Sequence, residues 1–270
     1  MAEDKSKSLD ILGVKPIADA VNTTTKGMVE GAAAILSRIC LPAAEELGFL
    51  LQDKVRVFRA KNAAAVVLKA QEKLEATPGG ERLHALPRLV GLILEQGSWV
   101  ELDEVQNMWA GLLATSCTED GQDDSNLMFA DLLSRLTASQ CRILDFACRE
   151  AKKIVAPNGL LVVDLGDALW SPNGMIGGLG TVMSLEQLYK VSGTTDLHRL
   201  DRELDHLRSL ELILPHGGGF STDSPETTAN VTPTSLAIQM FVRLNGFRGD
   251  PTEFFGLTPP EPSSAEDTPQ

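Results

Sequence analysis

An apolar stripe in the segment VELDEVQNMWAGLLATS, residues 100–116, constrains the fold more than any other feature of this chain. Its side chains recur at the i, i+3, i+4, i+7 and i+8 spacing, which places them on one face of an α-helix. The members of the stripe are Val105, Met108, Trp109, Leu112 and Leu113. Burying five such side chains contributes about 8–15 kcal/mol before ordering entropy is subtracted. We therefore predict that this helix supplies the structural core of a helical bundle.

Three acidic residues, Glu101, Asp103 and Glu104, precede the stripe and admit two interpretations. Asp103 followed three residues later by Gln106 fits a capping box, and carboxylates are stabilised at the positive end of a helix. The alternative is a metal site, because hard cations bind carboxylate oxygens. We favour capping, since no histidine lies nearby in the sequence.

Composition and charge limit the classes of partner. The 270 residues suit two modest domains, and 43 % hydrophobic and 23 % charged residues are ordinary for a globular protein. A net charge of −13 disfavours general affinity for nucleic acid or anionic lipid, because both repel an acidic surface. We expect a protein partner or a homo-oligomer instead, with nucleic acid as the disfavoured alternative.

The four cysteines, Cys40, Cys117, Cys141 and Cys148, form no CxxC pair, and the chain starts with a polar segment that lacks a secretory signal. We therefore expect reduced, buried thiols in a cytoplasmic protein. Cys141 and Cys148 share one helix face, and we favour a structural role for them over a redox pair. No run reaches the ~18 uncharged apolar residues of a membrane-spanning helix.

The amino-terminal half predicts a helical bundle over residues 11–135, preceded by a disordered stretch over residues 1–10. Pro42 should end one helix or start another, because proline is tolerated only in the first turn. The expected helices cover about 17–40, 41–75, 87–96, the stripe and 127–136, with a turn at 77–81.

The only markedly basic segment, residues 52–76, lies within the second of these helices and includes Arg56, Arg59 and Lys61. It admits two interpretations. Such a run usually forms a solvated helix face on which long side chains cover apolar neighbours. The alternative is a surface for nucleic acid or membrane headgroups. We favour the solvated face, because acidic residues dilute the run.

The second half carries three helix-start signals, at Thr137–Gln140, at Ser184–Gln187 and at Thr232 with Pro233 as the first helical residue. They predict helices over 138–152, 185–192, 196–210 and 233–245, with strands over 211–215 and 228–232 between the last two. This order resembles a winged helix, a helix-turn-helix variant with a β wing. The fold class is therefore mainly α, a helical bundle followed by a winged-helix-like domain.

The winged-helix-like domain should span residues 136–248 and carry a glycine-rich insertion over 155–182. The sequence LLVVDL within the insertion predicts an additional strand. A tail rich in proline and acid, residues 249–270, should be mostly disordered. Phe254 and Phe255 in this tail should dock on the domain, and a linear anchor for a partner is the alternative.

The third helix of this domain could read DNA if its arginines were available. Arg199, Arg202 and Arg208 lie on it, but Asp201 and Asp205 stand at spacings that pair with arginine. We therefore favour packing or protein contacts over nucleic-acid binding for this helix. The candidate interaction surface comprises Arg56, Arg59, Lys61, Arg199, Arg202 and Arg208.

Nothing in the sequence indicates catalysis. His84, His198, His206 and His216 are widely separated, and lone histidines are mostly surface residues. The segment GMIGGLG, residues 174–180, lacks the Lys-Ser/Thr of a phosphate-binding loop. We predict a protein that is not an enzyme, with no catalytic residue, cofactor or metal.

One family resemblance rests on the stripe and its surroundings. Residues 102–114, with Met108 and Trp109, look like the central segment of the abortive-infection alpha (Abi-alpha) family, and the similarity spans roughly residues 10–150. Gly111 stands where we expect a polar residue, at a cost of ~1 kcal/mol in helix propensity. The resemblance implies a bacterial intracellular protein linked to phage defence, and brings no catalytic residue.

These observations predict a non-enzymatic sensor or interaction protein that takes part in phage defence by abortive infection. One alternative is a nucleic-acid-binding regulator that works through the winged helix. A second alternative is a peripheral membrane effector that uses the alanine-rich amino-terminal helices.

Overall fold

A computed structural model describes residues 23–43, 54–165, 169–171, 174–176, 180–215, 220 and 227–257. The protein is mainly helical, and its described strands form short two-stranded sheets. It divides into two compact units. Unit 1 comprises Met1–Arg135 with Arg243–Arg248, and unit 2 comprises Leu136–Val242 with Gly249–Gln270. The stretches predicted to be disordered, residues 1–10 and the end of the tail, lie outside the described residues.

Unit 1 is built mainly from helices. Its described helices are α1 (Thr23–Ile39), α2 (Lys54–Glu75), α3 (Pro87–Gly97), α4 (Asp103–Thr115) and α5 (Leu127–Ser134). A 3₁₀ turn (Gly80–Arg82) follows α2, and β1 (His84–Ala85) pairs antiparallel with β2 (Cys117–Thr118). Residues 41–43 are also helical, so the chain around Pro42 starts a new helix as predicted.

Helix α2 packs against both α1 and α4. Its centre is rich in small side chains, and Ala63, Ala64 and Val67 are fully buried there. Small residues let neighbouring helix backbones approach closely, whereas larger ones would hold them apart. The segment that looked solvated and basic in the sequence therefore also supplies one wall of the unit 1 core.

The stripe on α4 lies in that core. Trp109 is 2 % exposed, Leu112 and Leu113 are fully buried, and Val105 is buried. Met108 departs from the expectation, since it is only half-buried. The opposite side of the helix is covered as well, because Gly111 and its neighbours in the chain are buried. Helix α4 is therefore enclosed over most of its circumference.

Gly111 is covered by backbone rather than by side chains. A Cβ atom added at this position would lie 1.8 Å from the carbonyl oxygen of Leu244. The covering segment, residues 243–248, is held by hydrogen bonds from Thr115 Oγ1 to the Arg243 carbonyl (3.4 Å) and from Lys73 Nζ to the Asn245 carbonyl (3.4 Å). Glycine at position 111 therefore permits an approach that any side chain would block.

The predicted capping box at Asp103 is wrong. Helix α4 begins at Asp103 itself, after an N-cap at Leu102 that makes no side-chain capping bond. Asp103 instead accepts hydrogen bonds from Lys69 of α2 and from Asn107 (2.9 Å to its Nδ2). The Gln106 side chain donates to the Val100 carbonyl (2.8 Å). Lys69 of the neighbouring helix α2 therefore binds the Asp103 carboxylate, and sequence spacing alone does not reveal this contact.

Unit 2 alternates helices with strand pairs. Its described helices are α6 (Ala138–Glu150), α7 (Leu185–Ser192), α8 (Leu197–Ser209), α9 (Ser235–Leu244, ending in unit 1) and α10 (Pro251–Phe254). The antiparallel pairs are β3 (Lys153–Val155) with β4 (Leu161–Val163), β5 (Leu169–Ser171) with β6 (Gly174–Ile176), and β7 (Val182–Ser184) with β8 (Thr228–Asn230). The strand predicted from LLVVDL is β4.

Two of the three predicted helix starts are confirmed. Thr137 and Ser184 each form a complete capping box with the glutamine three residues later. The prediction at Thr232 is wrong, because α9 begins at Ser235 and the Thr234 hydroxyl accepts from the Ala237 amide (3.2 Å). Thr232 instead donates to Asn230 Oδ1 (2.6 Å), an interaction outside any helix.

The predicted ribbon between residues 211–215 and 228–232 is reduced to one bridge. Strand β8 pairs with β7, with Met183 opposite Ala229. Residues 211–215 contribute only an isolated bridge between Ile213 and Pro233. The two hydrogen bonds of this bridge lie on either side of Pro233, from the Leu214 amide to the Thr232 carbonyl (2.9 Å) and from the Thr234 amide to the Leu212 carbonyl (3.1 Å). The expectation of a two-stranded wing over these ranges therefore holds only in part.

The end of the described chain folds back onto unit 2. The ring centroids of Phe254 and Phe255 lie 5.9 and 6.2 Å from that of Phe241 on α9. Lys153 lies over the Phe255 ring at 4.4 Å, a cation–π distance. The prediction that these phenylalanines dock on the chain itself is confirmed.

Candidate interaction surfaces

The basic residues of α2 have different surroundings. Arg59 lies 4.5 Å over the ring of Trp99, donates to Glu95 Oε2 (2.6 Å) and donates to Ser98 Oγ (3.0 Å). Lys61 is exposed, and the side chain of Arg56 lies outside the described atoms. Arg59 is therefore engaged within unit 1, and the three residues do not present a common row of available cations.

The arginines of α8 are also engaged in part. Arg199 pairs with Glu203 (3.4 Å) and Arg208 with Asp205 (2.8 Å), as the helical spacing allows. Arg202 is exposed. The Arg208 side chain is 10 % exposed, and its Nε and Nη2 are buried without a hydrogen-bond partner. Most of the positive charge on this helix is thus neutralised by acids on the same helix.

A buried polar network that the sequence did not reveal links α6 to α8. Glu203 is buried and accepts a hydrogen bond from Thr137 Oγ1 (2.8 Å). Gln140 Nε2 donates to the Glu203 carbonyl (3.1 Å) and lies 2.9 Å from His206 Nδ1. The capping residues Thr137 and Gln140 of α6 therefore also bind α8, and the His206 ring contacts Gln140.

The four thiols are buried, and none of them forms a disulfide. Burial raises the pKa of Cys117 to about 12, and it raises the pKa of Cys40 and Cys148 as well. The thiolate is the reactive form of cysteine, so these groups are poor nucleophiles near neutral pH. This placement fits the structural role predicted for them.

An open cleft of about 500 Å³ lies in unit 1. Its charged lining residues are Arg82, Glu119 and Arg248, and Thr118 adds a hydroxyl. No thiol or imidazole is part of the described lining, although these are the usual groups for nucleophilic or general-base chemistry near neutral pH. The described lining of the cleft therefore offers charged and hydrogen-bonding groups.

The described residues include neither a metal-ligating cluster nor a helix that could span a membrane. Where side chains are described, no three histidine, cysteine or acidic residues converge in a way that would hold a metal ion. Across the same part of the chain, no helix combines the length and apolarity needed to cross a membrane.

The loop between α3 and α4, residues 98–102, presents apolar side chains to solvent. We call it the Trp99 loop. Trp99 is 53 % and Leu102 45 % exposed, whereas Ser98 is fully buried. No sequence pattern predicted this surface, because neither side chain belongs to a helical or strand periodicity.

Comparison with known proteins places the chain in a family. Residues 59–235 match the family described as Abortive infection alpha. The chain belongs to the abortive infection alpha family. The match includes most of α2, all of α4 and all of α8, so it starts and ends later than the similarity seen in the sequence. No curated protein and no solved structure matches the chain.

Proposed function

We propose that this protein is a non-enzymatic sensor or interaction protein that contributes to phage defence by abortive infection inside a bacterial cell. The observation that carries the proposal is the family match over residues 59–235, which includes both the Trp109 helix and α8. The matched region therefore includes helices of both units.

The surroundings of the reactive side chains support an interaction role. Cys117 and Cys148 are buried thiols with raised pKa values, and His206 is engaged with Gln140. Buried groups satisfied by neighbours in this way stabilise a fold and leave little scope for turnover. Exposed apolar and charged side chains are the features that remain for contact with another molecule.

We further propose that unit 2 is a winged-helix-like domain. The order β7, α7, α8, bridge at Ile213, β8 supports this, because a winged helix places its first strand before the second helix. The pairing of β7 with β8 brings the returning strand against the first. Such a domain serves protein contacts as well as nucleic-acid contacts.

Arg202 favours one alternative, a nucleic-acid-binding regulator. Its side chain is exposed on α8, and exposed arginines donate hydrogen bonds to phosphate oxygens. The net charge of −13 and the acids on α8 oppose this alternative. Fluorescence anisotropy with a labelled duplex at low salt separates the two. We expect no binding, whereas affinity that falls steeply with salt and is weakened in Arg202→Gln would favour the alternative.

Phage infection tests the main proposal. A bacterial host that expresses the protein is compared with one that carries an early stop codon in the same gene. We expect expressing cultures to survive at low phage multiplicity and to collapse at high multiplicity, because infected cells die before releasing phage. Identical outcomes in both hosts across a panel of phages would contradict the proposal.

A cleft variant tests the non-enzymatic part of the proposal. Glu119→Gln removes the one acid among the charged residues that line the cleft of unit 1. We expect protection to persist, because the proposed role needs a folded surface and not a general base. Loss of protection with an unchanged melting temperature would indicate chemistry in the cleft.

A further inference from the structure

The Trp99 loop exposes two apolar side chains that are close enough together to contact a single partner. Trp99 and Leu102 are about half exposed and only three residues apart, so their Cα atoms lie within ~10 Å of each other. Single exposed apolar residues are common on protein surfaces, but tryptophan is enriched among the residues that contribute most to binding energy at interfaces.

Side chains of α2 and α4 contact the Trp99 loop. Asn62 Nδ2 of α2 donates to the Ser98 carbonyl (3.0 Å), and Gln106 Nε2 of α4 donates to the Val100 carbonyl (2.8 Å). Arg59 covers one face of the Trp99 ring, and Glu95 and Ser98 hold its guanidinium in turn. A side chain that is already ordered loses little entropy on binding, which favours affinity.

Acidic side chains surround this apolar pair. Glu95, Glu101 and Asp103 are all exposed, and Arg59 and Lys69 pair with Glu95 and Asp103. These three carboxylates therefore outnumber the two cations that pair with them. A second copy of this chain would bring the same carboxylates against themselves, which is unfavourable. The charge instead complements a partner that carries lysine or arginine around apolar side chains.

We propose that the Trp99 loop is a docking surface for a basic amphipathic segment of another protein. This proposal rests on the proposed interaction function and names the chemistry of the partner. Trp99 and Leu102 pack against the apolar stripe of the segment, and the surrounding carboxylates face its basic flanks. The surface includes Glu101, which precedes α4, and Asp103 in the first turn of that helix.

A designed peptide tests the proposal with the full chain. The probe is a labelled helical peptide of about 18 residues with leucine at helical spacing and lysine elsewhere, and the matched control peptide carries glutamate in place of lysine. Fluorescence anisotropy gives the Kd. We expect the lysine peptide to bind, and Trp99→Ala to weaken it at least about tenfold, as loss of a central tryptophan does.

Met128→Ala is the matched control variant, because Met128 is another exposed apolar residue of unit 1, 50 % exposed on α5. It should leave the Kd of the lysine peptide within about twofold of wild type, as expected for a residue outside the contact. Equal losses in Met128→Ala and Trp99→Ala, an unchanged Kd in Trp99→Ala, or equally tight binding of the glutamate peptide would each overturn the proposal.

Two further readouts separate the possible failures. A dimer that becomes a monomer in Trp99→Ala would show that a second copy occupies the surface, and would overturn the basic partner. In infected cells, protection by wild type that persists in Trp99→Ala would overturn the proposed docking surface but not the proposed function. Absence of protection in wild type, with peptide binding still dependent on Trp99, would overturn only the proposed function.

Discussion

At the scale of single residues, Gly111 is the position whose role in the structure differs most from the role that its sequence context suggested. From the sequence, glycine here only weakens a helix. In the structure it lies under the Leu244 carbonyl, where a Cβ atom would be 1.8 Å from the oxygen. No local pattern could have revealed this, because the covering segment lies more than a hundred residues away in the chain.

Gly111→Ala should therefore destabilise unit 1 despite its better helix propensity. We expect a loss of about 1–3 kcal/mol or more, as found for overpacked cores, because backbone atoms rather than a flexible side chain must move. Gly91→Ala on α3 is the control, since nothing lies within 4 Å of its added methyl group. It should stabilise by about 0.5–1 kcal/mol. Urea unfolding measures both, and equal stability of the two variants would contradict the packing.

Trp109→Ala should cost about 3–5 kcal/mol, because it leaves a large cavity in the α4 core. The residue is 2 % exposed, whereas Trp99 is 53 % exposed and provides the matched control. Trp99→Ala should change the free energy of unfolding by less than about 1 kcal/mol. Similar midpoints for the two variants in urea would show that Trp109 does not lie in the core.

At the scale of secondary-structure elements, local capping signals predicted the helix starts after Thr137 and Ser184 but not those at Asp103 and Thr232. Thr137 and Ser184 cap the helices that follow them. Asp103 and Thr232 failed as caps because Lys69 and Asn230 engage them instead. The Trp99 loop was missed for a related reason, since its exposure depends on contacts from α2 that the loop sequence does not specify.

The two capping boxes should differ in their contribution to stability. Ser184→Ala should cost about 1 kcal/mol, the usual value for loss of a cap. Thr137→Ala should cost about 2 kcal/mol, because it also removes a hydrogen bond to the buried Glu203. Thermal unfolding of the two variants gives the comparison. A smaller loss for Thr137→Ala than for Ser184→Ala would show that the link to α8 contributes nothing.

At the scale of the whole molecule, the sequence predicted a mainly helical protein and its family, and both are confirmed. Helical periodicity and capping signals are local, so they can be read without the fold. The winged helix remains a prediction. The return of residues 243–248 to unit 1 was not predicted, because contact between segments far apart in the chain produces no periodic pattern in the sequence.

The thiols provide a test of the folded molecule as a whole. All four are buried, and the pKa of Cys117 is raised to about 12, so few thiolates exist at pH 8. We expect the native protein to react with Ellman's reagent far more slowly than the unfolded protein, in which all four thiols react. Cys117→Ser should leave the native rate unchanged, and rapid native reaction that this variant abolishes would contradict the burial.

The return of residues 243–248 has a consequence for synthesis. Domains generally fold in order as the ribosome delivers them, amino-terminal part first. Unit 1 cannot follow that order to completion, because the segment that covers Gly111 is translated more than a hundred residues after α4. A nascent or truncated chain that ends before this segment carries an unfinished first unit, so unit 1 is completed only after helices α6 to α8 of unit 2 have been synthesised.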